Sequence, residues 1–190
     1  QCLAKGAEDS GVKIFEGVTV EKILINNTTV KGVLTNQGEI KSEWTILCGG
    51  MWARQLGMDI GINIPLYPVE HHYVISEPVQ GINADLPCTR EPNEMIYFRS
   101  EDDGGIRLGG FQKISKPWKI NRIPNDFCFK LFDPDWEFFK QPLEAGKKRI
   151  PELQECNFPK FVNGPESFTP DNNFIMGVPA CCNGLFVLAG

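Results

Sequence analysis

The chain has two histidines, His71 and His72, which stand next to each other in a strand-like run from Val69 to Ser76. Because neighbouring strand residues point to opposite faces, only one of them can line a cavity together with Tyr73, and His71 shares the Tyr73 face. Imidazole titrates near neutral pH, so a histidine in a cavity can take up or release a proton for a bound ligand. The alternative is a pair of surface histidines on an edge strand.

A second candidate for chemistry, Tyr97, lies in the strand-like run from Met95 to Arg99. Its hydroxyl can form a hydrogen bond inside a cavity, whereas Phe98 would face the opposite side. The alternative is a core or rim tyrosine whose hydroxyl meets water. Arg99 shares the Tyr97 face and could bind a carboxylate through two hydrogen bonds, although the pattern favours a structural salt bridge.

Two apolar strand-like runs end in glycine. Trp44 to Cys48 is followed by Gly49, Gly50 and a helical start, and Leu185 to Leu188 is followed by Ala189 and Gly190. A helix N-terminus after such a turn carries unpaired N–H groups, which favour the phosphates of a dinucleotide. We therefore expect a dinucleotide site at these turns and an internal fragment of a longer protein, because the helix after Gly190 is missing.

The remaining pattern predicts an α+β / α/β fold with two interleaved domains. Residues 1–60 read as part of a Rossmann-like dinucleotide-binding domain, residues 61–160 as a mainly antiparallel sheet domain for the substrate, and residues 161–190 as a return to the first domain. β-branched residues predict strands at Val12–Phe15, Val18–Ile25 and Thr29–Thr35. Residues 102–105 form a hairpin-turn signal between strands at Met95–Arg99 and Ile106–Phe111.

One amphipathic helix is expected in the second domain. Trp136, Phe139, Leu143 and Ile150 fall at helical spacings on one face, which predicts a helix packed on a sheet. Pro142 is expected to kink this helix or to end it early.

Composition excludes several classes of protein. An apolar fraction of 42% with 23% charged residues is ordinary for a globular domain, and a net charge of −5 argues against a nucleic-acid partner. No apolar run is long enough for a membrane span, and no targeting segment is visible. The seven cysteines contain no CxxC pair, so we expect a reduced, intracellular chain without a metal.

Several motifs, in this order, carry a family resemblance. They are GVTVEKI, VKGVLTNQGEIKSEWTILCGGMWARQLG, PLYPVEHHYVISEPVQGI, MIYFRS, IRLGGF, FKLFDPDWEFF, NGPESFTPD and IMG. With them the chain resembles the D-amino-acid-oxidase-like FAD-dependent oxidoreductases, and within these the sarcosine and dimethylglycine dehydrogenase group. The first domain would then be the FAD-binding domain.

The resemblance implies FAD as the cofactor and oxidation of the N-methyl group of a small amino acid by hydride transfer to the flavin. It also implies tetrahydrofolate and an electron-transfer flavoprotein as partners of the complete protein, and a location in the mitochondrial matrix. FVLAG and GGFQKISKP are similar to a relative of another class, which gives an alternative function. That alternative is a non-catalytic regulatory subunit of pyruvate dehydrogenase phosphatase with the same flavoprotein fold.

The resemblance also assigns roles to residues. His71 and Tyr97 match family positions near the substrate, and Val20 matches a backbone position beside the adenine side of FAD. Gly49 and Gly50 would let the main chain approach the dinucleotide, and Gly190 matches the edge of the flavin-contacting turn. Gly49 departs from the usual alanine, while Phe174 and Val178 replace a usual proline and acid, which leaves the geometry of those loops open. Asp171 is predicted to form a turn and is not assigned to catalysis.

Overall fold

Both ends of the chain contribute to the first of two structural units. The computed structural model describes residues 1–190, and it groups residues 1–66 with 169–190 as unit 1 and residues 67–168 as unit 2. The predicted domain boundaries, after residues 60 and 160, fall before these unit boundaries. At the second boundary the difference arises because the strand Lys160–Phe168 pairs along its whole length with a strand of unit 2.

Three α-helices and twelve strands follow one another along the chain. The helices are α1 (Cys2–Asp9), α2 (Ala53–Met58) and α3 (Trp136–Arg149), and short 3₁₀ helices occupy Gly50–Trp52 and Pro151–Gln154. The strands are β1 (Val20–Asn26), β2 (Thr29–Thr35), β3 (Gly38–Lys41), β4 (Thr45–Leu47), β5 (Tyr67–Ile75), β6 (Thr89–Glu91), β7 (Ile96–Ser100), β8 (Ile106–Gly110), β9 (Lys116–Pro117), β10 (Lys160–Phe168), β11 (Ile175–Gly177) and β12 (Leu185–Ala189). None of the helices combines the length and apolar character that a membrane crossing requires.

A glycine cap follows helix α1, which ends at Asp9. Gly11 has φ +89°, its N–H donates to the Glu8 carbonyl at 2.8 Å, and the Val12 N–H donates to the Ala7 carbonyl at 3.0 Å. These two bonds define a Schellman cap. The strand predicted at Val12–Phe15 is wrong: this segment joins no sheet, and its apolar side chains are exposed. A β-branched composition does not form a strand without a neighbouring strand to pair with.

Unit 1 contains two three-stranded sheets. Strands β1, β2 and β3 pair antiparallel in that order. In the second sheet β12 lies between β11 and β4, antiparallel to β11 and parallel to β4. The two sheets share one apolar core, which includes Ile23, Val30, Leu47, Ala53, Ile64, Leu66, Leu185 and Val187.

Unit 2 is built on a six-stranded antiparallel sheet. Its order is β10-β5-β8-β7-β6, and β9 also pairs with β5. Strand β5 is therefore an interior strand, paired with β10 over nine positions from Tyr67 to Ile75. The predicted hairpin is confirmed, since β7 and β8 pair antiparallel from Ser100–Ile106 onwards.

Helix α3 covers one face of this sheet. Asp135 caps its N-terminus, because the carboxylate accepts a hydrogen bond from the Phe138 N–H at 2.9 Å. As predicted, its apolar face packs on the sheet, with Phe139 and Ala145 against Val74, Ile96 and Leu108.

Pro142 was predicted either to kink helix α3 or to end it early. The early end is wrong, because the helix continues to Arg149. Proline lacks the N–H that would bond the carbonyl four residues earlier. That carbonyl, on Phe138, instead accepts a hydrogen bond from the side-chain amide of Gln112 at 3.3 Å. Gly110 lies beneath the proline, and a Cβ there would lie 2.6 Å from Pro142 Cγ. A glycine and a side-chain amide thus accommodate the proline.

Candidate functional site

His71 lies in an aromatic cluster on the face of the unit 2 sheet opposite helix α3. Its ring is parallel to that of Tyr97, with the centroids 6.2 Å apart, and it lies 5.1 Å from Phe111 and 6.3 Å from Phe168. The His71 side chain is 18% exposed, so a ligand can still approach it. We call these four residues the His71–Tyr97 cluster.

The sheet brings His71 and Tyr97 together although strand β8 separates their strands. Tyr97 pairs with Gly109, which in turn pairs with Tyr73 on β5. A Cβ at Gly109 would overlap the Tyr97 ring, so the glycine lets the ring lean across β8. The Tyr97 hydroxyl then reaches His71 Nε2 at 3.4 Å. The structure thus brings together two residues that the resemblance places near the substrate, while their catalytic roles stay predictions.

Burial sets the protonation of both groups. It lowers the pKa of His71, and the carboxylate of Glu166, 3.8 Å from Nδ1, opposes this shift. Burial raises the pKa of Tyr97, and the positive charge of Arg107 opposes that shift. At neutral pH the pair is therefore a neutral imidazole beside a neutral phenol. This arrangement can accept one proton at His71 and donate one hydrogen bond from Tyr97.

The arginines near the cluster differ in their partners. Arg99 pairs with Glu101 at 3.4 Å, which confirms the predicted salt bridge, and Arg107 pairs with the same carboxylate at 2.8 Å. Arg90 pairs with Tyr97 in the strand register, and its guanidinium lies 5.0 Å from the centre of the Phe111 ring. Arg90 could not be recognised from the sequence, because β6 has only three residues and shows no readable alternation.

Glu166 was missed as well. It lies on β10 opposite Val69, two positions along β5 from His71, and its side chain is 57% exposed. No sequence motif links positions 71 and 166; only the pairing of β5 with β10 brings them together. The alternation of the NGPESF run could have suggested its face, but not its neighbour.

His72 occupies the opposite face and a different environment. Its side chain is 1% exposed and is surrounded by the rings of Phe138, Phe139 and Phe161. The carboxylate of Glu70 lies 3.5 Å from its Nε2. The alternative of a surface histidine pair on an edge strand is wrong, because β5 has strands on both sides and both histidines are largely covered.

Glu70 is the centre of a polar network around His72. It accepts a hydrogen bond from the buried side chain of Asn163 at 2.7 Å and pairs with Lys116 at 3.1 Å. Lys116 also pairs with Asp135, the cap of α3, at 2.6 Å. This network ties β5, β9, β10 and the helix together, which indicates a structural role.

In unit 1 the two predicted glycine turns lie at the same edge of one sheet. Because β4 and β12 are parallel and pair from Leu185–Thr45 to Val187–Leu47, both strands end on the same side. Gly49 and Gly50 follow one strand and Gly190 follows the other. Gly50 has φ +51°, and a Cβ there would meet no atom within 4 Å. The backbone at this turn is therefore open to a close ligand, which is what a dinucleotide needs.

Val20 and Asp171 lie outside the two glycine turns, although Asp171 belongs to the 169–174 segment that packs beside Gly190. Val20 begins β1 in the other sheet of unit 1, pairs with Thr35 and is 40% exposed. The strand pairing does not bring it to the glycines, and its role beside FAD stays a prediction. Asp171 forms the expected turn, since its carboxylate accepts a hydrogen bond from the Asn173 N–H at 3.1 Å.

The whole chain matches one protein family. The sequence model of the family described as "DAO: FAD dependent oxidoreductase" matches residues 1–190. Among curated proteins the chain is 38% identical to 4-methylaminobutanoate oxidase (formaldehyde-forming) of Paenarthrobacter nicotinovorans over 99% of the chain. It is 35% identical to the mitochondrial pyruvate dehydrogenase phosphatase regulatory subunit of Mus musculus and 33% identical to the mitochondrial sarcosine dehydrogenase of Homo sapiens, each over 99% of the chain.

The chain spans only about a fifth of these relatives: 23%, 22% and 21% of their lengths in the same order. Among solved structures, the L-proline dehydrogenase from P. horikoshii superposes with a TM-score of 0.79 at 27% identity, over 98% of this chain and 47% of that one. Together with the mixed sheets and helices described above, this likeness confirms the predicted fold class.

Proposed function

The chain belongs to the DAO family of FAD-dependent oxidoreductases, and from this premise we propose that the protein oxidises the N-methyl group of a small amino acid, sarcosine or dimethylglycine. The observation that carries the proposal is the contact of the Tyr97 hydroxyl with His71 Nε2 in an aromatic, half-covered cluster. Two relatives support the substrate class, because sarcosine and 4-methylaminobutanoate both carry an N-methyl amine and a carboxylate.

One sheet edge in unit 1 supports FAD binding. The edge where β4 and β12 end offers Gly49, Gly50 and Gly190, and the open space at Gly50 leaves room for a dinucleotide against the backbone. In the proposed function these three glycines hold FAD, with the backbone of Val20 beside its adenine side. Bound FAD supplies the acceptor for the two electrons and the hydrogen that leave the methyl carbon.

Unit 2 supplies the groups that prepare the amine. A hydride can leave the methyl carbon only when the nitrogen lone pair is free to form the C=N bond, so the ammonium form must first lose a proton. Burial keeps His71 neutral and able to accept that proton. Tyr97 orients the nitrogen by a hydrogen bond, and the rings of Phe111 and Phe168 favour a cationic methylammonium group through cation–π contacts.

Anaerobic mixing of substrate with the FAD-loaded complete polypeptide that carries this sequence tests the proposal. We expect sarcosine or dimethylglycine to bleach the flavin absorbance and glycine to leave it unchanged, because glycine has no N-methyl group. 4-Methylaminobutanoate is included to measure the tolerated chain length. Bleaching by glycine as fast as by sarcosine would contradict the substrate class.

A regulatory function is the second candidate. The 35% identity to a phosphatase regulatory subunit favours it, and the His71–Tyr97 cluster does not exclude it. The same anaerobic experiment separates the two functions. A flavin that no N-methyl amino acid reduces, in a protein that binds pyruvate dehydrogenase phosphatase, would support regulation instead of catalysis.

The complete polypeptide is also expected to have protein and cofactor partners and a specific location in the cell. Tetrahydrofolate and an electron-transfer flavoprotein are proposed as partners of the complete polypeptide, to take up the released carbon and the electrons. A location in the mitochondrial matrix is also proposed, and the names of two relatives support the mitochondrion. Subcellular fractionation of cells that express the tagged complete polypeptide tests this location.

A further inference from the structure

We propose that Glu166 is a positioning residue that fixes the tautomer of His71, with the Nδ1–H facing the Glu166 carboxylate and Nε2 free to accept the proton of Tyr97. This inference rests on the proposed function, because it assigns a task to the same cluster. Neither the sequence motifs nor the family resemblance assigns a role to Glu166.

The geometry around the imidazole is asymmetric. Glu166 Oε2 lies 3.8 Å from Nδ1, whereas the Tyr97 hydroxyl lies 3.4 Å from Nε2. A carboxylate can only accept hydrogen bonds, while a phenol can donate one. The tautomer with its proton on Nδ1 therefore suits both neighbours, and the opposite tautomer would turn a lone pair towards the carboxylate. Both distances are longer than those of tight hydrogen bonds, as is common before a ligand closes a site.

No other carboxylate competes for this imidazole. The charged and titratable groups that surround it or its partner Tyr97 are Glu166 on β10, Arg107 on β8, His72 and Tyr73 on β5, and Cys88 before β6, while Arg90 on β6 lies over Phe111. Arg107 is already paired with Glu101, and Glu70 faces His72 on the opposite side of the sheet. Glu166 is therefore the group that balances a positive charge on His71.

This arrangement defines a balanced proton path. The N–H bond of the substrate ammonium breaks as its proton bonds to the Tyr97 oxygen, the former Tyr97 O–H bond breaks, and a new N–H bond forms at His71 Nε2. The phenol is neutral before and after, the amine becomes neutral, and the positive charge moves to an imidazolium that already carries a proton on Nδ1. Glu166 stabilises that imidazolium by its negative charge.

Nuclear magnetic resonance of the ring nitrogens tests the assignment without any substrate. The FAD-loaded complete polypeptide is labelled with ¹⁵N-histidine, and the His71 signals are identified by their loss in His71→Gln. We expect the Nδ1–H tautomer in the native protein. In Glu166→Gln and Glu166→Leu we expect a mixture of tautomers and a lower His71 pKa, because the opposing negative charge is gone. Glu166→Asp should restore the native spectrum in part, and Glu144→Gln, an exposed glutamate on α3, should have no effect.

A kinetic readout complements the spectra. In Glu166→Leu we expect kcat/KM for flavin reduction to fall roughly tenfold at neutral pH, with the acid limb of the pH profile moved to lower pH. Unchanged His71 tautomer and pKa in both Glu166→Gln and Glu166→Leu would overturn the inference. Altered spectra with an unchanged pH profile would overturn the proton path. If no amine reduces the flavin, the proposed function fails, while the spectra still decide the role of Glu166.

Discussion

His71 and His72 are neighbours in the chain but differ in what their rings can do. Strand alternation turns His71 towards an aromatic cluster with two polar partners and turns His72 into the packing beneath helix α3. Burial lowers the pKa of both. Only His71 retains exposed surface and has a phenol, that of Tyr97, within reach. The strand face on which a histidine lies, and not the residue type alone, therefore decides whether it is a candidate for catalysis.

Substitution of His72 is expected to change the pH dependence of stability. Burial lowers the pKa of His72 below 6.5, while Glu70 and Asp135 oppose the shift. The native state therefore prefers the neutral ring, and its contribution is complete above pH 6.5 and is lost as the pH falls through the native pKa. In His72→Gln the thermal midpoint of the complete polypeptide should fall less between pH 7.5 and 5.5 than in the native protein.

His71→Gln serves as the comparison, because it removes only the separate contribution of the more exposed ring. If the thermal midpoint fell equally between pH 7.5 and 5.5 in His72→Gln and in the native protein, the lowered pKa of His72 would be contradicted.

Arg90 is expected to bind the carboxylate of the substrate. Arg99 and Arg107 are held by Glu101, whereas Arg90 forms no ion pair and lies over Phe111 of the cluster. Arg90→Met should raise KM for sarcosine roughly 10- to 100-fold with little change in kcat, because a charge-assisted hydrogen bond to the bound substrate is lost. Steady-state kinetics with Arg99→Met as the matched control measures the effect. An equal rise in KM in both variants would contradict a specific role for Arg90.

At the scale of elements, the pairing of β4 with β12 and of β5 with β10 creates both candidate sites. The first pairing places two glycine turns at one sheet edge, and the second places Glu166 beside His71. Helix α3 does not contribute to the His71–Tyr97 cluster, because it packs on the other face of the sheet. The unit 2 sheet thus has the candidate catalytic residues on one face and the packing against α3 on the other.

The open turn after β4 gives a prediction for cofactor binding. Gly50→Ala should weaken FAD binding about tenfold, because a Cβ would occupy the space in which the dinucleotide approaches the backbone. Gly61→Ala is the matched control: Gly61 also has positive φ, +76°, and also faces open space. Flavin fluorescence titration of the apoprotein measures both affinities. Equal losses in the two variants would indicate backbone strain instead of lost contact.

Much of the element pattern could be predicted from the sequence, and the misses have physical reasons. Alternation and turn residues predicted β2, the hairpin of β7 and β8, and the face of α3. Strand β5 was predicted only from Val69, although it begins at Tyr67. Pro68 caused the difference, because a proline is tolerated near the start of a strand but argues against a strand in the sequence pattern. The positions of Glu166 and Arg90 near the cluster could not be predicted, because local sequence does not determine the register between distant strands.

At the scale of the whole molecule, two segments separated by more than a hundred residues form unit 1, and the segment between them forms unit 2. The predicted return of the chain to its first domain depended on the order of the motifs and on the family resemblance, not on composition. The family match over residues 1–190 confirms the resemblance.

The most direct test of the central claim is the rate of flavin reduction by sarcosine in anaerobic stopped flow, with the native complete polypeptide and with His71→Gln and Tyr97→Phe. We predict a fall of about a hundredfold or more in each variant, because both residues prepare the amine. Tyr73→Phe, on the same face of β5, should reduce its flavin at nearly the native rate. Native rates in both His71→Gln and Tyr97→Phe would contradict the account.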